Sequence, residues 1–340
     1  MAVDCSVEGN IGFLTLNRPK ALHALSLAMI DTMTAQLLLW QTDPEIHAVV
    51  IQAEPGKAFC AGGDIRQLYD ARGEFSQQLN FFEREYRLNH LIHDFPKPYI
   101  ALMNGMTIGG GVGISLHGSH PVASERFAFA MPETAIGFFP DIGASHILAQ
   151  CPGQFGYYLG LTGDRINAKD ALALGLVSAV VLADNFPKLV KALLKADLSD
   201  NAHEKVDACL AKFAEKNITS TLVKKQDNID ACFVADSMER VMERLQQMGT
   251  AWFQDVHDRL ATRSPLSLKV TLQQFRAAKS KDLNACLEMD GRLVRHFLQD
   301  HDFYEGIRAT VVDKDQKPYW QPVSLADVTQ MMVNRYFECI

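Results

Sequence analysis

Hydrophobic and polar positions alternate along the first half of the chain with the spacing of short strands and amphipathic helices. The apolar runs IGFLTLN (11–17) and HAVVIQA (47–53) predict two strands. Between them, residues 26–40 carry apolar side chains at helical spacing, and Ser26 is placed to cap this helix at its N-terminus. The order strand, helix, strand indicates an α/β domain.

The same alternation continues towards the middle of the chain. Residues 77–92 have the pattern of an amphipathic helix, and residues 97–105 predict a strand that enters a glycine-rich turn. Residues 120–130 contain two short strand candidates. In the segment 168–181, Gly175 is expected to end a helix that a strand follows.

The pattern changes from about Asn185 onward, where long, charged segments have apolar residues at helical spacing. No repeat, low-complexity segment or Pro/Gly/Ser-rich linker separates the two parts. We therefore predict an α/β core over residues 1–185 and a C-terminal helical region over residues 186–340 that packs on the core.

The composition limits the classes of binding partner that are expected for this protein. The 340 residues are 48% hydrophobic and 21% charged, with a formal net charge of −7. This is the composition of a globular protein without a global positive field, so neither nucleic acid nor an anionic membrane is expected as a partner. An anionic ligand would need local positive charge.

The cysteines and the N-terminal sequence bear on location. The seven cysteines are widely spaced and include no C-x-x-C pair, which is typical of a reducing compartment. The first 20 residues lack a basic segment followed by an apolar run, and no apolar stretch reaches the length of a membrane span. These features predict a cytoplasmic protein.

Several common motifs fail in register. The glycine run does not match the dinucleotide fingerprint G-x-G-x-x-G, because with Gly109 and Gly111 in place the sixth position is Ile114. The P-loop pattern fails at Ala58, and the nucleophile elbow G-x-S-x-G fails at His117. No H-E-x-x-H zinc motif occurs. If the protein is a hydrolase, we expect it to act without a serine nucleophile or a metal.

Two glycine turns remain, FCAGGDI (59–65) and NGMTIGGGVG (104–113), and each follows an apolar run. Glycine lets a ligand approach the main chain closely, and N–H groups at a helix start have no partner within the helix. Two such groups on one carbonyl oxygen form an oxyanion hole, in which each donor stabilises the transition state by about 3–4 kcal/mol. The alternative is two ordinary tight turns.

Two acids, Glu133 and Asp141, lie in MPETAIGFFPDIG (131–143), each directly after a proline. Each has a structural alternative: Glu133 suits the first turn of a helix, and Asp141 suits a helix N-cap. With apolar residues between them, they are also suited to general acid–base catalysis as a partly desolvated pair.

The two glycine motifs resemble those of the crotonase, or enoyl-CoA hydratase/isomerase, superfamily, with FCAGGD at 59–64 and NG…GGG at 104–111. The resemblance covers about residues 5–185. It implies a crotonase-like spiral of ββα units, here followed by a C-terminal helical region, that binds an acyl-CoA thioester. It also places the two oxyanion-hole donors on the backbone of Gly63 and Gly110.

The resemblance also bears on the reaction. Hydratases of the superfamily use two glutamates; Glu133 matches the second, whereas Gly113 occupies the position of the first. Glycine has no side chain to transfer a proton, which argues against ordinary hydration. An enoyl-CoA hydratase or isomerase acting on an acyl-CoA remains the alternative function.

A more specific resemblance, over nearly the whole chain, is to the 3-hydroxyisobutyryl-CoA hydrolase family, in NGMTIGGGVGISLHG, FAMPETAIGFFPDIG and HDFYEGIRATVVDKDQKPYWQP. It implies hydrolysis of that thioester, or of a close 3-hydroxyacyl-CoA, in valine catabolism. Glu133 and Asp141 would be the catalytic acidic pair, and Glu85 a further carboxylate at the substrate. The alternative for Glu85 is an ordinary charge on the solvated face of an amphipathic helix. Coenzyme A is part of the substrate, so no metal or redox cofactor is expected.

Two further expectations follow from the same resemblance, and a third, for Cys60, follows from the sequence itself. Arg18 and Lys20 lie where superfamily members contact the CoA nucleotide, with solvated surface charges as the alternative. Trimers or pairs of trimers are common in the superfamily, so a homo-oligomer, trimer or hexamer, is expected unless the C-terminal region occupies those contacts. Cys60 is expected to be a small buried residue rather than a nucleophile.

Overall fold

The structure is a computed structural model that describes residues 2–216 and 218–338. Its strands are short. They are β1 (Val3–Glu8), β2 (Ile11–Leu16), β3 (Ala48–Ala53), β4 (Ala58–Cys60), β5 (Tyr99–Met103), β6 (Met106–Ile108), β7 (His120–Ala123), β8 (Ala128–Ala130), β9 (Ile166–Asn167) and β10 (Ala179–Val180).

Helices occupy most of the remaining chain. They are α1 (Leu27–Thr42), α2 (Ile65–Asp70), α3 (Phe75–His93), α4 (Gly110–Gly113), α5 (Ala144–Ala149), α6 (Phe155–Thr162), α7 (Ala168–Ala173), α8 (Phe186–Lys195), α9 (Ala202–Leu210), α10 (Gln226–Phe233), α11 (Met238–Met248), α12 (Ala251–Ala261), α13 (Pro265–Ala278), α14 (Leu283–Phe297), α15 (His301–Ile307) and α16 (Gln330–Arg335). Within the described residues, none of them is both long and apolar enough to cross a bilayer.

The larger sheet has six strands in the order β1-β2-β3-β5-β7-β10. All neighbours pair in parallel except β1 and β2. The predicted strands at 11–17, 47–53 and 97–105 are confirmed as β2, β3 and β5, and Ser26 caps α1 by accepting the Met29 N–H. Strand β1 was not predicted, although apolar and polar residues alternate in its sequence VDCSVE. Only Val3 of this edge strand is buried.

The smaller sheet has the order β4-β6-β8-β9 and carries both glycine turns. The first turn follows β4 at Cys60, and the second follows β6 at Ile108. Strands β4 and β6 are parallel neighbours, so the two turns leave the sheet at the same edge. This topology is what brings the two motifs, nearly 50 residues apart in the sequence, next to each other.

The chain divides into two compact units. Unit 1 comprises the residues up to Gly63, Arg84–Phe129 and Arg165–Val223. One face of its large sheet is covered by α8 and α9, and the apolar side chains there form a single buried cluster that includes Val50, Ile100 and Leu189. Burial of this surface at roughly 25 cal/mol per Å² is the main force that holds the sheet and the two helices together.

Unit 2 comprises Asp64–Glu83, Ala130–Asp164 and the residues from Lys224 onward. Aromatic rings dominate part of its core. The ring of Phe138 lies 4.6 Å from that of Phe139, 4.9 Å from that of Phe303 and 5.4 Å from that of Phe297. These rings fix the chain directly between the two acids, residues 137–140, against helices from the C-terminal third.

The predicted fold class, an α/β core followed by a helical region, is confirmed: among the described residues, every long element after β10 is a helix. The proposed boundary between residues 185 and 186 stays a prediction. The division into two units follows contacts in space and is discontinuous in sequence, with α8 and α9 counted in unit 1.

Candidate active site

The two glycine turns of unit 1 lie against each other through their main chains. Gly62 has a φ of +105°, and a Cβ atom placed there would lie 3.3 Å from the Ile108 carbonyl oxygen and 3.8 Å from the Gly110 nitrogen. The first turn is held by Leu25, whose N–H donates to the Gly62 carbonyl at 2.8 Å. A positive φ together with this close approach explains why glycine occupies position 62.

Gly63, Gly110 and Glu85 meet at one point, which we call the glycine site. A Cβ atom on Gly110 would lie 3.3 Å from the Gly63 nitrogen and only 2.3 Å from Oε1 of Glu85. Gly110 is the first residue of α4, so its N–H has no partner within that helix. The structure thus brings together the two predicted amide donors and the predicted substrate carboxylate, which is 2% exposed.

Cys60 packs beneath this site. A Cβ atom on Gly111 would lie 2.3 Å from the Cys60 carbonyl oxygen, so the backbones of the two turns are in contact there as well. The Cys60 side chain is fully buried, and burial raises the pKa of its thiol to about 12. A thiol that stays protonated at neutral pH is a poor nucleophile, in line with the expected packing role.

Gly113 lies opposite a buried amide. Here a Cβ atom would be 2.6 Å from Nδ2 of Asn89, which is fully buried on α3, one turn after Glu85. Hydratases of the superfamily carry a glutamate at the position of Gly113. Here the side chain of Asn89 occupies the space that such a side chain would need. The sequence showed that a carboxylate was missing at position 113, but not that Asn89 occupies its space.

The predicted CoA contacts differ in their surroundings. Arg18 is half-buried and donates from Nη1 to the carbonyl of Ala24 at 2.6 Å. Ala24 directly precedes Leu25, whose N–H holds the first glycine turn. Lys20 is exposed. Contact of either cation with a CoA phosphate stays a prediction.

In unit 2, Glu133 begins a single turn of 3-10 helix, Glu133–Ile136, which ends at Gly137 in the left-handed conformation. Its side chain is 7% exposed. Glu133 therefore does occupy the first turn of a helix, as its structural alternative expected. This position does not explain the burial, however, because an acid that only complements a helix dipole is normally solvated.

Asp141 lies in a turn of residues 140–143, which we call the acidic turn, and is 6% exposed. Two successive residues of this turn have positive φ, Ile142 at +56° and Gly143 at +70°. The following helix α5 is capped by Gly143 without a side-chain hydrogen bond, so the alternative role of Asp141 as its N-cap is wrong. Another explanation is needed for a buried acid here.

The acidic turn is held by two side chains that sequence reasoning missed. Asp290 on α14 accepts the Gly143 N–H through Oδ2 at 2.9 Å. Gln274 on α13 donates from Nε2 to the Pro140 carbonyl at 2.9 Å and to Oδ1 of Asp290 at 2.8 Å. Both lie more than 130 residues beyond the turn, and no local motif marks them.

Within the described residues, no group of three or more His, Cys, Asp or Glu side chains is placed to hold a metal ion. The six cysteines in this part of the chain are all free.

Comparison with known proteins identifies the family. A family model described as enoyl-CoA hydratase/isomerase matches residues 11–337. The chain belongs to the enoyl-CoA hydratase/isomerase family. The predicted crotonase-like fold is confirmed by a crystal structure of a carnitinyl-CoA dehydratase from Mycobacterium thermoresistibile, which is similar with a TM-score of 0.93 and 36% identity, over 100% of this chain and 97% of that one.

Curated relatives indicate which enzymes of this family the chain is similar to. The chain is 42% identical over 334 residues to a protein of Xenopus laevis, and 40% identical over 340 residues to one of Homo sapiens; both are named 3-hydroxyisobutyryl-CoA hydrolase, mitochondrial. The alignments cover 97% and 98% of this chain, and 86% and 87% of the relatives. The predicted resemblance to this hydrolase family, and with it the prediction of a hydrolase, is confirmed.

The predicted cytoplasmic location is wrong, since these relatives are named as mitochondrial proteins. The prediction rested on cysteine spacing and on the N-terminal sequence. Free cysteines indicate a reducing environment, but they do not distinguish one reducing compartment from another.

Proposed function

We propose that the protein hydrolyses 3-hydroxyisobutyryl-CoA, or a close 3-hydroxyacyl-CoA, to the free acid and CoA, as a step of valine catabolism. The observation that carries the proposal is the glycine site. There, the Gly63 nitrogen lies 3.3 Å from the point where a Cβ of Gly110 would be, with Glu85 on the same side. The names of the curated relatives support this substrate.

In the proposed reaction, the thioester carbonyl oxygen accepts the N–H groups of Gly63 and Gly110. Negative charge grows on this oxygen as the carbonyl carbon becomes tetrahedral, so the two donors lower the barrier. Glu133 either attacks the carbon and forms a mixed anhydride that water opens, or removes a proton from the attacking water. In both routes a C–O bond forms, the C–S bond breaks, and CoA leaves as the thiolate.

The other predicted residues have supporting roles in this proposal. Asp141 binds the 3-hydroxyl group of the substrate or shares a proton with Glu133. Glu85 lies beside the bound substrate at the glycine site, and Arg18 and Lys20 bind the phosphates of CoA. The proposed chemistry needs no metal or redox cofactor. Assembly into a trimer or hexamer stays a prediction.

The test follows two products at once. Purified protein is incubated with 3-hydroxyisobutyryl-CoA and, separately, with crotonyl-CoA, while free thiol is measured with a chromogenic reagent and the enoyl group by ultraviolet absorbance. We expect thiol release from the first substrate that survives chelators and is lost in Glu133→Gln. The matched control is Glu204→Gln, at an exposed glutamate on α9.

A second function is favoured by one comparison, because the similar crystal structure is named a dehydratase. Hydration or dehydration would change the enoyl absorbance without releasing thiol. Asn89 against Gly113 argues for hydrolysis, since it leaves no room for a second glutamate at that position. Thiol release unaffected by Glu133→Gln would contradict the proposed mechanism, and absence of thiol release from the wild type would contradict the function.

A further inference from the structure

We propose that Asp290 and Gln274 are positioning residues for Asp141, so that two helices of the C-terminal region form a working part of the catalytic apparatus. The inference rests on the proposed function, because the role of Asp141 there gives the acidic turn its importance. Neither residue belongs to the motifs that predicted the site.

The hydrogen bonds define how the turn is held. Gln274 fixes its start through the Pro140 carbonyl, Asp290 fixes its end through the Gly143 N–H, and the two side chains are bonded to each other. Asp141 lies between these two anchor points. Asp290 and Gln274 are both fully buried, so these bonds do not compete with solvent.

The conformation of the turn requires such anchors. Ile142 is β-branched and has a φ of +56°, a conformation that costs a non-glycine residue on the order of 1–3 kcal/mol. Gly143 follows with a φ of +70°. Without these two hydrogen-bonded anchors, the strained turn is expected to relax. Relaxation would move the carboxylate of Asp141, because Asp141 directly precedes Ile142.

The buried carboxyl of Asp290 interacts with the charge of Asp141. Burial raises the pKa of Asp290 well above its ordinary range, and the negative charge of Asp141 adds to this, while the bonds from Gly143 and Gln274 and the charge of Arg292 act in the opposite direction. A solvent-inaccessible carboxyl beside a second acid is costly to keep for packing alone, because an apolar residue would fill the same space without this repulsion.

The experiment uses the full chain and measures kcat and KM for thiol release from 3-hydroxyisobutyryl-CoA. For Asp290→Ala we expect kcat to fall about 10- to 100-fold with little change in KM, because a displacement of about 1 Å in a catalytic group has an effect of this size. Asp290→Asn keeps one oxygen that can accept the Gly143 N–H but loses the acceptor for Nε2 of Gln274, so it should recover part of the loss. The matched control, Asp230→Asn, removes a charge from another acid that accepts a backbone N–H, that of Gln154 at 2.6 Å, and should behave as the wild type.

A double-mutant cycle separates positioning from stability. If Asp290 acts through Asp141, then Asp290→Ala in an Asp141→Asn background should reduce kcat no further. A merely structural residue would lower the melting temperature and add its effect to that of Asp141→Asn. Should Asp290→Ala fail to fold, Gln274→Ala provides the same cycle, because it removes the other anchor of the turn.

The outcomes distinguish the two proposals. Near-normal kcat in folded Asp290→Ala and Gln274→Ala, or additive losses in the cycle, would overturn the positioning role while leaving the proposed function intact. If Asp141→Asn is fully active, the proposed role of Asp141 fails and the positioning role falls with it, although hydrolysis itself stands. If the wild type releases no thiol, the proposed function fails.

Discussion

The glycine site of unit 1 and the acidic turn of unit 2 are built on opposite physical principles. At the glycine site, main chains and a buried carboxylate approach so closely that a single added Cβ would lie 2.3 Å from Glu85. The acidic turn is instead held by hydrogen bonds between its backbone and the side chains of Asp290 and Gln274. The first should therefore be sensitive to added atoms and the second to lost hydrogen bonds.

The largest effect is expected from Gly110→Ala. The new methyl group must displace Glu85 or tilt the Gly110 N–H away from its direction. Since removal of one oxyanion-hole donor costs about 10²–10³ in rate, we expect a loss of kcat/KM of this order for thiol release. Gly56→Ala is the matched control, because its Cβ would have only an ordinary contact, 3.6 Å from His23. Equal activity of the two variants would refute the role of the glycine site.

Asp141→Asn tests the acidic turn directly. The amide keeps the shape of the side chain but cannot take part in proton sharing, so we expect kcat to fall about 10²-fold with a much smaller change in KM. Asp255→Asn, at an exposed residue of α12, is the control. An effect confined to KM would show that Asp141 only binds substrate.

Gly113→Ala probes added volume away from the two proposed donors. Its methyl group would lie 2.6 Å from the Asn89 amide, so we expect a loss of about 1–3 kcal/mol in the free energy of unfolding, measured with urea. In an Asn89→Ala background the penalty should largely disappear, because the neighbour that causes it is gone. A penalty that is the same in both backgrounds would show that the strain has another source.

The smallest effect concerns pH and Asp290. Its pKa in the folded chain is raised above the ordinary value of 3.8, so the folded chain binds this proton more tightly than the unfolded chain. The stability that depends on this proton is present below pH 4 and is lost as pH rises through the raised pKa. Asp290→Asn cannot ionise, so relative to the wild type it should become more stable as the pH rises from 4 to 7.

Urea titrations of the two proteins at a series of pH values measure this difference, in which the other ionisable groups largely cancel. A difference that does not change with pH would mean that Asp290 titrates as in the unfolded chain. The electrostatic argument about Asp290 at the acidic turn would then fail, although its hydrogen bond to Gly143 would remain.

Contiguous patterns made much of the molecule predictable. Strands β2, β3 and β5 and the cap of α1 follow from residues within a few positions of each other, since strand and helix periodicities are local properties. The glycine turns and the two acids were found in the same way. Two features were not predicted correctly: the edge strand β1, whose alternation of apolar and polar residues covers only six positions, and the location of the protein, which its cysteines do not encode.

The sequence by itself therefore determined the α/β class, the helical C-terminal region, the family and the chemical groups available to it. Only the tertiary structure decided which distant residues contact the segments that carry those groups. Asn89 lies against Gly113, and Asp290 and Gln274 hold the turn that contains Asp141. The reason is physical. Local pattern reflects the burial of each element's own face, whereas these contacts exist only after chain segments far apart in sequence have packed together.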